Sequence, residues 1–272
     1  MSLKQFEANV QSQFGEDGVI EEVFKRIGTK NNICIEFGAW DGVHLSNTWK
    51  LWHNENWNAL LIEGITERFN ALTETTKEFK NVQSLNAFVT LSGYNSLNAI
   101  FDRLQFPSDI DLLCIDIDGD DFYIFESLEN YRPRLVIVEY NPSIPPHLEI
   151  VQEPGQYFGC SALALFKLAK VKDYKLVHMT DTNMFFVRTE DHYKMNLDES
   201  ELYTIFPVKY LTNVMTNYGG KAFVNRVPVY MKNLEKNKIK MKATQSIQQK
   251  SKVETLRISP EDLISISIFE NK

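Results

Sequence analysis

The sequence predicts an α/β fold: a Rossmann-like doubly wound sheet, mostly parallel with a C-terminal antiparallel strand, plus a C-terminal extension. Three observations predict it. Helical and strand patterns alternate from residue 12 to residue 190, the signature of a parallel sheet covered by helices. Several strand segments are nearly continuous apolar runs, as strands buried on both faces are. The first of them runs directly into a glycine turn, Gly38-Ala39-Trp40-Asp41-Gly42.

The elements follow in order. Val19, Ile20, Val23, Phe24 and Ile27 share one helical face, and Gly28 can end that helix. Ile33 to Phe37 is a strand, and a helix is expected after its glycine turn. A second strand covers Trp57 to Gly64, with a helix through Arg68, Phe69 and Leu72. Val82 to Val89 is a third strand and Leu97 to Leu104 a helix. Asp111 to Asp118 is a fourth strand and Phe122 to Leu128 a helix. Leu135 to Tyr140 is a fifth strand. Ser161 caps a helix reaching Ala169. Lys175 to Met179 and Met184 to Arg188 are the last two strands. The four residues between them, Thr180 to Asn183, allow a hairpin but no crossover helix, so one of these strands is antiparallel.

These patterns set a main domain at residues 1–190 and an extension at 191–272. Residues 259–262 carry a helix-start signal and residues 264–268 a strand signal, and the sequence does not choose between them. The 272 residues, 43% apolar and 24% charged, exclude wholesale disorder and fibrous repeats. Net charge is −7, yet residues 232–252 hold seven lysines and one glutamate, which leaves −13 for the rest. That lysine-rich segment reads as a solvated linker, and the acidic body argues against nucleic acid as a partner. Cys34, Cys114 and Cys160 form neither a disulfide framework nor a zinc motif, and read as small packing residues. No stretch is apolar enough to span a membrane, and the first 18 residues lack a signal-peptide apolar region, so a cytoplasmic protein is expected. A homo-oligomer is left open.

In such a sheet, ligands bind beyond the carboxyl ends of the strands. The turn Glu36 to Gly42 sets glycines between acids, which suits a hydroxyl-rich or cationic ligand and differs from the dinucleotide and phosphate-loop patterns. The plainer alternative is that Gly38 and Gly42 merely make a turn. Glu63 ends the second strand, where an acid can hold a ribose diol. Trp40, Trp49, Trp52 and Trp57 lie close in sequence, and Trp49 and Trp52 read as a packing face.

With these motifs the sequence resembles the class I S-adenosylmethionine-dependent methyltransferases. More narrowly, Ser12-Gln13-Phe14-Gly15-Glu16-Asp17, Asp116-Ile117-Asp118-Gly119-Asp120-Asp121, Gly159-Cys160-Ser161 and Asn183 to Arg188 resemble the FkbM-like family. The resemblance covers roughly residues 10–190 and departs at Ala39-Trp40, where many methyltransferases carry a further glycine. It implies S-adenosylmethionine as cofactor, held by Gly38, Asp41, Glu63, Ala87 and Asp116. It also implies O-methylation of a saccharide or other small-molecule acceptor, often a sugar or polysaccharide precursor of a bacterial surface glycan. A nicotinamide-dependent oxidoreductase and a non-catalytic ligand-binding module on the same fold are the rival readings.

Asp116 and Asp118, two apart on an expected strand, should share a face. If the fourth and fifth strands are neighbours, Asp118, Glu139 and Asn141 converge as oxygen ligands suited to Mg²⁺ or Mn²⁺. The alternative is a metal-free site with Asp118 as base and Asp120 or Asp121 capping the next helix. His147, after Pro145-Pro146, is a second candidate base by position.

Overall fold

In the computed structural model, the described residues are 2–197, 201–208, 211, 214–216, 218, 222–224 and 264–265. Seven strands form the main sheet: β1 (Ile33–Phe37), β2 (Asn58–Glu63), β3 (Val82–Asn86), β4 (Leu112–Ile115), β5 (Leu135–Glu139), β6 (Tyr174–Met179) and β7 (Asn183–Arg188). Their order is β3-β2-β1-β4-β5-β7-β6. Neighbours pair in parallel from β3 across to β5, while β7 runs antiparallel to both β5 and β6. The short Thr180–Thr182 link therefore makes the expected hairpin, and β7 is its reversed strand.

Helix α1 (Glu16–Ile27) precedes β1. Helices α2 (Thr66–Thr76), α3 (Leu97–Leu104), α4 (Asp121–Ser127) and α5 (Ala162–Val171) follow β2, β3, β4 and β5. Val19, Ile20, Val23, Phe24 and Ile27 of α1 share one core cluster with Cys34, Leu61, Leu112, Cys114 and Ile137 of the sheet. Each such burial contributes about 1.5–3 kcal/mol relative to exposure. Ser161 caps α5 as expected, its Oγ accepting the Ala164 N–H. Burial pushes the three thiols, Cys34, Cys114 and Cys160, well above the ordinary range, so none is poised as a nucleophile.

The amino-terminal edge of the sheet is locked by Arg134, just before β5. Its guanidinium reaches Asp111 at 3.0 Å, Asp191 at 3.1 Å and the carbonyls of Ile27 and Gly28. Asp111 also accepts the N–H groups of Lys30, Asn31 and Asn32. Asp191 lies on α6 (Thr189–His192), and α7 (Leu202–Ile205) ends the first compact unit, Met1–Pro207.

Three local expectations are corrected. No α-helix follows the glycine turn: a loop leads to a single wide turn, Lys50–Asn54. There the buried Trp52 packs edge-on against Phe79 and Trp49 stacks on His53. The third strand stops at Asn86, and the fourth at Ile115. The second compact unit, Val208–Lys272, holds a three-stranded antiparallel sheet of β8 (Val214–Thr216), β9 (Ala222–Val224) and β10 (Ile264–Ser265). Ile264 and Ser265 of the strand signal lie in β10, and the helix-start signal at 259–262 lies outside the described residues. The lysine-rich segment 232–252 lies outside the described residues. No helix among the described residues is long and apolar enough to cross a membrane.

Candidate active site

Strand order reverses between β1 and β4, so the crevice of this sheet opens at their carboxyl ends. Gly38 follows β1 with φ +76°, and a Cβ there would stand 1.8 Å from the Asp116 carbonyl oxygen. Only glycine lets the two loops close on each other this tightly. Asp41 then closes the turn locally, Oδ1 accepting the N–H groups of Val43 and His44.

Two carboxylates build this corner. Glu36, buried in β1, accepts Ser46 Oγ and Thr48 Oγ1 at 2.6 Å and the Asn47 N–H at 2.8 Å, so it anchors the loop behind the turn. Burial raises its pKa, and those three donors pull it back down. Glu63, at the end of β2, accepts the Trp40 N–H on one oxygen at 2.9 Å and the Ile65 N–H on the other at 2.7 Å. It thereby joins the glycine turn to the start of α2. Trp40 adopts a left-handed φ of +50°, uncommon for a bulky residue and a sign of a strained site. Ala87 is held beside Glu63 by its N–H to the Glu63 carbonyl, and exposed Phe88 packs so close to Gly64 that a Cβ there would stand 2.6 Å from its ring.

The expectation that Asp116 and Asp118 share a face is overturned, because the strand ends before either. Asp118 takes φ +60°, outside strand geometry, and is exposed. Its backbone adjoins the Glu139 carboxyl and pulls that group's pKa down slightly, against burial and the neighbouring acids. β4 and β5 are neighbours, and Asp116, Asp118, Asp121 and Glu139 lie close enough for their charges to raise the pKa values of Asp116, Asp121 and Glu139. Burial, then the surrounding acids, pushes Asp116 and Glu139 well above the usual carboxylate range. Asp121 is raised by burial to about 6, against the Ile117 and Gly119 N–H groups it accepts.

The segment after β5 folds over this edge. Asn141 is no free ligand: its Oδ1 accepts from Ser143, and its Nδ2 donates to the Phe158 carbonyl. Among the described residues no three His, Cys, Asp or Glu side chains gather closely enough to hold a metal ion. Asp120 does not cap α4 with its side chain; it accepts Gly155 N–H and Gln152 Nε2 at 2.7–2.8 Å. Gln152 in turn takes the Phe158 and Gly159 N–H groups on its Oε1. The strap so formed carries the exposed Tyr157; what little burial it has, then the nearby Asp118 charge, raise its phenol pKa. His147 sits exposed on the strap's Pro145–Leu148 turn, with no bond to the acidic group among the described residues.

The Ser12–Asp17 motif closes the far side. Asp17 Oδ2 gathers the N–H groups of Val10, Gln11 and Ser12, and Glu16 receives Thr180 Oγ1 and Asn183 Nδ2. Asn183 is the register partner of Glu139, so this loop sits at the carboxyl edge of the sheet. Gly38, Asp41, Glu63, Ala87 and Asp116 thus lie on adjoining loops, and Asp118 with Glu139 beside them. Phe88, Tyr157 and Gln152 escaped sequence reasoning; the only signal was a large aromatic just past a strand end or a glycine.

No protein-family model matches the sequence, and no curated protein matches it. Solved structures are similar in part. The CMeT domain of the citrinin polyketide synthase matches with TM-score 0.43 and 11% identity over 64% of this chain and 51% of that one, so the chain spans about half its length. The N-terminal domain of EvdMO1, solved with SAH and D-fucose, matches with TM-score 0.42 and 13% identity over 63% and 80%. A SAM-dependent methyltransferase from Aquifex aeolicus matches with TM-score 0.37 and 14% identity over 68% and 94%.

Proposed function

We propose that the chain is an S-adenosylmethionine-dependent O-methyltransferase acting on a hydroxyl of a sugar or polysaccharide precursor. The observation that carries the reading is the joint between Glu63 and the glycine turn, made through Trp40 N–H beside the switch in strand order. Each Glu63 oxygen accepts one backbone N–H and keeps a further lone pair, so the pair matches a ribose diol. Exposed Phe88 offers a flat apolar face next to it for a base. Gly38, Asp41 and Ala87 present backbone to the same crevice. When bound, the cofactor supplies an electrophilic methyl group.

Asp118 is the acid most open to a substrate, and its strained backbone is of the kind that clusters at functional sites. It would take the proton of the acceptor hydroxyl, while the walls of the crevice hold that oxygen in line; such positioning supplies much of the rate. Raised Asp116 and Glu139 carry the neutral form more readily, which keeps Asp118 from being crowded by two further charges. His147 is the reserve candidate.

Calorimetric titration with S-adenosylhomocysteine and, separately, with NADH tests the reading. Binding of the first and not the second supports it; the reverse result points to an oxidoreductase. A methyl-transfer assay on hydroxylated acceptors then separates an enzyme from a binding module.

A further inference from the structure

Arg68 lies in the first turn of α2 and lays its guanidinium over the Trp40 ring, 4.0 Å from the centroid. Six arginines fall among the described residues. Five of them are engaged: Arg26 with Glu22, Arg103 with the Tyr94 carbonyl, Arg132 with Glu190, and Arg134 and Arg188 with Asp191. Arg68 alone has neither an ion pair nor a hydrogen bond among the described residues. Its five N–H donors lie in one plane, the fork that grips phosphate or carboxylate, and none of them has a partner among the described residues.

Its place matters as much as its freedom. Trp40 beneath it is tied to Glu63, so Arg68 borders the proposed cofactor corner. Arg68 and Asp118 both lie near enough to the Tyr157 phenol to bear on its pKa, in opposite directions. The neighbouring acids, Asp116, Asp118, Asp121 and Glu139, offer an anion no cation in either protonation state. An anionic ligand is therefore admitted at Arg68 and not among these acids.

We infer that the acceptor is anionic, its phosphoryl or carboxyl group lodged on Arg68 while its hydroxyl reaches Asp118; this rests on the methyltransferase reading for the role of Asp118. A neutral acceptor would leave the only unpaired guanidinium among the described residues idle at the mouth of the site. The stacked geometry also ties the binding event to an optical signal, because an anion drawn to Arg68 changes the environment of Trp40.

The test titrates the protein, with and without S-adenosylhomocysteine, with inorganic pyrophosphate, a hexose 1-phosphate, a hexuronate and a neutral methyl hexoside at fixed ionic strength. Tryptophan fluorescence and calorimetry are the readouts. We expect the anionic compounds to bind at least about tenfold tighter than the neutral hexoside, about one hydrogen-bonded charge pair's worth of discrimination. Arg68→Gln should erase that preference, Arg68→Lys should keep part of it, and Trp40→Phe should remove the optical signal that pyrophosphate produces. A stronger response to the phosphate assigns a phosphoryl group, and a stronger response to the uronate assigns a carboxyl group. Saturable binding of no anion, or equal anion affinity in Arg68→Gln, overturns the inference. Absence of S-adenosylhomocysteine binding overturns the methyltransferase reading instead, since the dependence on Arg68 is read in either state.

Discussion

A side chain at Gly38 would collide with the backbone of Asp116: its Cβ would lie 1.8 Å from the carbonyl oxygen. The first and fourth strands thus deliver their loops into direct contact at the switch in strand order, and the crevice is built on that contact.

Gly38→Ala should therefore disturb both fold and site. The left-handed backbone alone costs about 1–3 kcal/mol for a non-glycine residue, and the clash adds to it. Urea unfolding should show at least that loss, together with weakened S-adenosylhomocysteine binding. An alanine variant with unchanged stability would refute the contact.

Arg134→Met tests the lock at the other edge of the sheet. It leaves Asp111 buried without a cation and Asp191 with only Arg188 and Lys194, which should cost up to about 3–5 kcal/mol. Burial alone would raise the Asp191 pKa, but Arg134, Lys194 and Arg188 outweigh it and hold the carboxyl well below the usual range. A depressed carboxylate stabilises the fold above its unfolded pKa, near 4, and that stability is lost as pH falls below it. Wild type should lose stability on acidification below about pH 4, and the variant should show a flatter acid limb. Parallel acid limbs would contradict the assignment.

The acidic edge has the opposite sign. Asp116, Asp121 and Glu139 hold protons in the folded state that the unfolded chain releases above about pH 4, so they lower stability as pH rises through about 6, the value for Asp121, and beyond. Glu139→Gln removes one of these charges while keeping its shape. It should stabilise the protein at pH 8 by on the order of 1 kcal/mol and add nothing at pH 5. Equal effects at both pH values, measured by thermal unfolding, would count against the crowding of charges.

The order of elements was legible because a parallel sheet writes itself as apolar runs separated by helical periods. The strand segment at Leu112 and the hairpin around Thr180 needed only local patterns. What the chain does after each strand was not legible in the same way. The turn at Lys50 to Asn54 replaces a helix because Glu36 ties down Ser46, Asn47 and Thr48, ten to twelve positions away. Asp118 leaves the strand's two-residue period because β4 ends at Ile115 and the turn that follows puts Asp118 at φ +60°. Asn141 looked like a ligand by spacing, yet its amide serves the strap carrying Phe158. Arg68 and Trp40 meet only because α2 follows the strand that Glu63 ends.

Asp118→Asn should keep cofactor affinity and lose methyl transfer by about 10²–10⁴-fold, the usual cost of a missing base. The assay is run on the true acceptor, with and without chelator. Chelator should not matter, since Asn141 is engaged elsewhere. Full activity in the variant would move the search to His147.

The most direct measurement is the affinity for S-adenosylhomocysteine of wild type against Glu63→Gln, by calorimetry, with circular dichroism to confirm the fold. The glutamine keeps the size of the side chain that joins Trp40 to Ile65 and removes the charge that would take a ribose diol. The expected result is tight binding to wild type and a loss of about 1.5–3 kcal/mol in the folded variant. Undiminished affinity in Glu63→Gln, or no binding to wild type at all, would contradict the assignment of this corner as the cofactor site.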